Sequence, residues 1–255
     1  MASHSAQRVQ CRRLSSDGFT NREIAKQMGV PYGTVGYWLH LDRAAGLLAP
    51  LSHHTMPECP RCLSTPTIPA DAATYCYLLG QYLGDGHIVV TDRNTVLRIY
   101  CTSSHVGIID ECRSAILRTL GRSVHLAPKR GCTAVCAYHR HWTCLFPQHG
   151  PGMKHTRRIV LADWQEELVA THPRPFLRGL IHADGCRSVN RVTRGEKVYE
   201  YPRYFFANES SDILRLCGET LDRVGAAWRF NRRNSISVAT REAVALLDEF
   251  IGPKK

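Results

Sequence analysis

The chain has 255 residues, 44% of them hydrophobic, enough for one large domain or a small one beside a medium one. Its 33 Lys and Arg against 22 Asp and Glu leave a net charge of +11. Such a surplus points to a nucleic acid, because each cation laid on a phosphate releases counterions; solubility charge is the plain alternative. No run of about 18 apolar residues and no apolar stretch behind Met1 is present, which excludes a membrane span and a secretory signal, so the chain is expected in the cytoplasm.

A helix is predicted over roughly residues 6–17, and residues 20–39 follow the spacing of a helix-turn-helix. Ala25 is small where two helices touch, and Gly29, four residues on, can take the positive φ of the turn. Ile24, Met28, Val30, Val35 and Trp38 make the inner face, while Thr20 and Glu23 form a capping box. Pro31 opens the second helix, so Tyr32, Gly33, Thr34 and Tyr37 would face a major groove. An ordinary helical hairpin shares the apolar spacing, but the full register favours the DNA-reading form. Residues 1–46 are thus expected to be a small all-α domain that assists a larger binding surface.

Residues 47–69 carry Pro50, Pro57, Pro60, Pro66 and Pro69, which forbid a long helix and mark a linker. Within it Cys59 and Cys62 form half of a zinc knuckle, with His53 and His54 upstream. No second CxxC follows, so a metal-free turn is favoured and bound Zn²⁺ is the alternative. The chain holds 11 cysteines, an odd number with no export signal, and most are expected as reduced core residues.

Behind the linker one unit occurs twice. Residues 78–86 read LLGQYLGDG and residues 177–185 read LRGLIHADG; Gly80 and Gly179, and Asp85 and Asp184, are each 99 apart. Gly121 and Gly225, and Phe146 and Phe250, are each 104 apart, so the drift is assigned to a longer hairpin at 187–201 than at 88–99. The repeats run over about 70–149 and 170–252, each reading helix, hairpin, helix, β segment, helix.

Gly80 and Gly84, and Gly179 and Ala183, put small residues four apart on one helix face, which lets two backbones approach closely. If the two motif helices pack there, Asp85 and Asp184 end side by side where both helix dipoles are already negative. Two carboxylates so gathered repel each other unless a cation sits between them, and oxygen donors alone suggest Mg²⁺, completed by backbone carbonyls. A single Asp-Gly would read as an ordinary helix end; two in register do not.

These motifs resemble the LAGLIDADG family, also called dodecapeptide or DOD homing endonucleases, over roughly residues 70–250. The resemblance implies an α+β fold of two pseudo-symmetric αββαββα halves forming a DNA-binding saddle, behind the helix-turn-helix. It implies a monomer that cuts each strand of double-stranded DNA once, with Asp85 and Asp184 holding Mg²⁺ and the Gly84 and Ala183 carbonyls completing its shell. Gln81, Tyr82 and Leu83 depart from the first motif's usual Leu-Ile-Asp, and His182 stands where Asp is common. The family also holds non-cleaving regulators of the WhiA type and RNA maturases, which are the alternatives. Splicing is not expected, since the chain ends Gly-Pro-Lys-Lys.

Target contacts are expected from the sheets. Lys129 and Arg130 align with Arg233 and Asn234, Arg232 precedes them, and Arg98 and Arg203 fall in paired strands. A solvated basic surface is the alternative for each. Lys154, in the basic connector 150–158, is the candidate catalytic lysine; His139 and His141 show no metal-ligand spacing.

Overall fold

The computed structural model describes residues 4–48, 69–91, 94–121, 123–252 and 254. Cys59 and Cys62 lie outside them. The chain divides into two compact units, Met1–Pro57 and Glu58–Lys255.

The first unit holds three helices, α1 (His4–Ser16), α2 (Asn21–Met28) and α3 (Tyr32–Ala44). Thr20 accepts from the Glu23 amide while the Glu23 carboxylate accepts from the Thr20 amide at 2.8 Å, and Gly29 ends α2 with φ +65°. Its core is Cys11, Ile24, Val35, Trp38 and Leu39, with Ala25, Met28 and Val30 at the margin. Asp42, 1% exposed, accepts from Arg8 Nε at 2.8 Å and so ties α3 to α1. Neither Cys11 nor this ion pair was apparent in the apolar spacing.

The second unit contains the two αββαββα copies expected from the resemblance. The first runs α4 (Ala72–Asp85), β1 (Gly86–Val90), β2 (Thr95–Thr102), α5 (Val106–Leu120), β3 (Val124–Lys129), β4 (Cys132–Tyr138) and α6 (Trp142–Leu145). A 3-10 turn (Lys154–Thr156) and α7 (Asp163–Thr171) connect it to the second copy. That copy runs α8 (Pro173–Asp184), β5 (Gly185–Arg194), β6 (Lys197–Ala207), α9 (Ser211–Arg223), β7 (Arg229–Arg232), β8 (Ser235–Val238) and α10 (Arg241–Asp248). Both sheets are antiparallel, with strand orders β1-β2-β4-β3 and β5-β6-β8-β7. One hydrophobic core serves both copies: Leu97, Ile99 and Val135 from one sheet and Tyr204, Phe206 and Ile236 from the other cover α4 and α8. Every residue of α4 from Tyr75 to Leu83 is buried, which explains why its sequence is apolar all round. Among the described residues no helix is long and apolar enough to cross a membrane.

The register refines the repeat arithmetic. Gly86 faces Ile99 and Gly185 faces Phe206, spans of 13 and 21 residues, so the second hairpin is longer by eight. The 104 offset understated this insertion because the stretch from Phe206 to Gly225 is three residues shorter than that from Ile99 to Gly121, α9 having 13 residues against 15 in α5.

Candidate active site

Where α4 and α8 cross, their backbones touch. A Cβ on Gly80 would lie 2.5 Å from the Phe176 carbonyl oxygen and 2.7 Å from the Leu180 nitrogen; one on Gly179 would meet Gln81 N at 3.1 Å and overlap the Tyr77 carbonyl. The contact continues to the helix ends, where a Cβ on Gly84 would lie 2.9 Å from Asp184 Oδ2. The two motif carboxylates are therefore brought together. Burial first, and then the charge of Asp184, push the Asp85 carboxyl up to about 6, against the pull of Lys154 and Lys254. Asp184 is also raised by burial, but the amide of Asn208, which donates to its Oδ2 at 2.6 Å, opposes the shift.

Each helix end carries a lysine. Lys154 Nζ donates to the Tyr82, Leu83 and Gly84 carbonyls at 2.5, 3.0 and 3.0 Å, in the last turn of α4, where the Tyr82 carbonyl also accepts from the Gly86 amide. The connector delivers it there because Arg157 gathers the carbonyls of Gly150 and Gly152 at 2.9 Å and of Gln148 at 3.0 Å, folding 148–152 into a tight loop. Burial lowers Lys154 to about 8 despite the pull of both carboxylates. At the other helix end Lys254 Nζ donates to the Ala183 carbonyl at 3.1 Å. The Gly84 and Ala183 carbonyls, expected as metal ligands, thus accept from ammonium groups here.

Asp184 opens into a cleft of about 570 Å³ lined from both copies, by Gly84, Gly86 and His87 on one side and Asn208 and Asn234 on the other, with Lys154 from the connector. His87 is held below its ordinary range by burial and by the charges of Lys154, Arg98 and Arg157. Among the described residues no group of three or more His, Cys, Asp or Glu forms a metal cluster. His141 is buried and its amide donates to His139 Nδ1 at 3.0 Å.

The two motif departures are partners. Gln81 Nε2 donates to Tyr77 Oη at 3.0 Å, Tyr77 Oη lies 3.2 Å from His182 Nδ1, and His182 Nε2 lies 2.8 Å from the Ile251 carbonyl. A carbonyl only accepts, so Nε2 carries the proton and Nδ1 accepts from Tyr77. Burial holds His182 neutral, with its pKa down to about 4. Arg178 beside it forks onto both Glu111 oxygens at 2.8 Å and donates to the Phe250 carbonyl at 2.7 Å. Together these bonds anchor the segment that carries Lys254.

Strand alternation assigns the basic candidates. His87, Arg98, Tyr100 and Lys129 share the sheet face turned away from the core, as Arg203, Phe205 and Arg232 do in the second sheet. Lys129 lies 4.8 Å from the Tyr100 ring centroid, and the Arg203 guanidinium 5.7 Å from that of Phe205. Arg98 and Arg203 share this orientation but not a position: Arg98 pairs with His87, beside Gly86, and Arg203 with Ser188, three residues past Gly185. Lys129 closes the β3–β4 ladder and Arg232 the β7–β8 ladder, each followed by an exposed arginine, Arg130 or Arg233. The tips therefore match at 103, not 104. Arg233 is paired with Glu209 at 3.2 Å. In the first unit Tyr32 and Tyr37 are 62% and 61% exposed and Thr34 is half-buried.

Sequence reasoning missed Lys254, Asn208, Arg157 and His87. Two residues past those facing the motif glycines stand Cys101 and Asn208, so only the second copy has an amide at that place. The 100-residue interval between Lys154 and Lys254 was a visible signal, close to the motif offset.

No protein-family model matches the chain, nor does any curated protein. Among solved structures it is similar to mesophilic variants of the homing endonuclease I-DmoI, at 13% identity over 71% of this chain and 96% of that one, with a TM-score of 0.46. It is similar to the N-terminal LAGLIDADG domain of DUF199/WhiA at 13% identity, 72% and 83% coverage and a TM-score of 0.45. The LAGLIDADG meganuclease I-AabMI bound to uncleaved DNA gives 12%, 69%, 83% and 0.44. The likeness is one of fold, at identities where side-chain roles do not carry over.

Proposed function

We propose that the chain is a site-specific, Mg²⁺-dependent endonuclease of double-stranded DNA, acting as a monomer with internal pseudo-two-fold symmetry. The observation that carries this reading is the carboxylate pair Asp85 and Asp184, one from each copy, held at abutting helix ends, with Asp184 facing a cleft bordered by both sheets. The donor set suits a hard cation: two half-buried carboxylates that repel each other. Mg²⁺ takes one or two carboxylates and completes its shell with water and phosphate. Bound there, it would supply Lewis-acid polarisation of the phosphate and an activated water.

The chain's own residues would do the rest. Asn208 orients Asp184 through its 2.6 Å bond. Lys154 and Lys254 put positive charge where a phosphoryl group gains negative charge. Arg157 holds the loop that aims Lys154. Arg98, Lys129, Arg130, Arg203, Arg232 and Arg233 would contact phosphates or guanine edges, and Tyr32, Thr34 and Tyr37 would enter a major groove.

One observation favours a second reading, a DNA-binding regulator that does not cut. The two lysines already balance the two aspartates and occupy the helix-end carbonyls. A randomised duplex library incubated with Mg²⁺, beside Asp184→Asn and Asp85→Asn proteins, separates the two. Metal-dependent cuts at one recurring sequence, lost in both variants while binding persists, are expected. Enrichment of one bound sequence without cuts would replace the nuclease by the regulator.

A further inference from the structure

The two copies differ most in their first hairpins. The β1–β2 ladder has five pairs, from Gly86↔Ile99 to Val90↔Thr95; the β5–β6 ladder has ten, from Gly185↔Phe206 to Arg194↔Lys197. In the first sheet β4 covers β2 from Val96 to Thr102, whereas β8 covers β6 only from Tyr204 to Ala207. Residues 197–203 therefore have β5 as their one strand neighbour. At about 3.3 Å per residue this is a two-stranded ribbon reaching some 23 Å past its sheet.

Its two sides differ in chemistry. The side continuous with the open sheet face carries Ser188, Asn190, Arg194, Tyr199, Tyr201 and Arg203, and no carboxylate. Tyr199 and Tyr201 are 41% and 40% exposed. The opposite side holds Val189, Val198 and the 2.8 Å ion pair of Arg191 with Glu200. At the ribbon's base Arg203 Nε and Ser237 Oγ are buried without a hydrogen-bond partner in the protein. A ribbon with solvent on both sides adds little stability of its own. A major groove about 12 Å wide admits a two-stranded ribbon, and exposed tyrosines among amides and cations suit base edges and phosphates.

We propose that the β5–β6 ribbon lies along duplex DNA beyond the sheets, lengthening the contact on the second copy's side by about seven base pairs at roughly 3.4 Å each. This rests on the reading of the open sheet faces as a DNA surface. The recognised site is then lopsided, longer on the side of Asp184 than on that of Asp85.

Hydroxyl-radical footprinting of the full chain on a duplex recovered from the randomised pool tests it. A variant with residues 191–200 replaced by Asn-Gly loses four of the ribbon's ladder pairs, about 13 Å, and should lose about four protected base pairs on one flank alone. The double variant Arg194→Ala, Lys197→Ala keeps the ribbon and should lower the slope of log affinity against log salt by about two. An unchanged footprint and slope would overturn the proposal. So would dimers of the full chain that the shortened variant loses, which would make the ribbon a self-pairing edge. If the full chain protects no duplex at all, the DNA reading itself fails, and that result is distinct from an unchanged footprint.

Discussion

Asp85 sits in an environment unfavourable to its own charge. Burial and Asp184 raise it from an ordinary 3.8 to about 6. Between these values the folded chain holds a proton that the unfolded chain has released, so this group's contribution to stability falls as pH rises through the window and stays low above it. Asp85→Asn should therefore stabilise the metal-free protein at pH 7, by at most about 3 kcal/mol at roughly 1.4 kcal/mol per pKa unit. The gain should shrink below pH 6 and vanish near pH 4, where the wild-type carboxyl is itself protonated. Thermal melts across pH in a chelator check this. Adding Mg²⁺ should raise the wild-type midpoint and leave the Asn variant unmoved, because only a native-state ligand stabilises. A gain independent of pH would mean that Asp85 is not held as a strained carboxylate. The neighbouring Lys154, lowered to about 8, should show the opposite sense. Between pH 8 and its ordinary 10.5 the folded chain has released a proton that the unfolded chain still holds, so this group's contribution to stability rises with pH there, while any activity that needs the ammonium should decline from pH 8 upward.

The elements around these residues were legible to differing degrees, for physical reasons. The motif helices announced themselves because close backbone approach restricts four positions to glycine or alanine, and such a restriction survives in sequence as a repeat. Asp85 and Asp184 came with them, being the residues next to the helix-ending glycines. Asn208 did not, because it reaches the site through tertiary contacts that leave no local pattern, and Lys254 left only its 100-residue distance from Lys154. Gln81 and His182 looked like departures from a motif, yet they are two ends of one hydrogen-bond chain through Tyr77, which is invisible until α4 and α8 are packed. The crossing can be tested directly. Gly179→Ala sets a methyl against the Tyr77 carbonyl and the Gln81 amide and cannot be absorbed by a side-chain rotation. It should cost about 3 kcal/mol or more, at or beyond the upper end of overpacking penalties, read as a fall in denaturation midpoint. Gly195→Ala, at the ribbon tip with open space around it, should cost only the strain of its φ of +60°, about 1 kcal/mol. Equal losses at the two positions would mean the helices separate to admit the methyl.

At the scale of the whole molecule, the chain places a three-helix unit with its own small core ahead of a much larger double repeat. Among the described residues the core of Cys11, Ile24, Val35, Trp38 and Leu39 lies within the first unit, and the ion pair of Arg8 with Asp42 closes inside it. Among the described residues the shared core of the double repeat begins at Tyr75. The two should unfold as separate transitions, with the smaller one less stable because so few side chains supply its burial. Residues 58–255 alone should therefore melt at the midpoint of the full chain's more stable transition, measured by calorimetry. The same truncation offers a test of how the units share DNA. If the first unit contributes phosphate contacts of its own, its removal should weaken duplex binding and lower the salt slope, while sparing metal-dependent cutting at the recovered sequence. Loss of cutting with binding intact would instead mean that cleavage depends on the first unit beyond its share of DNA binding.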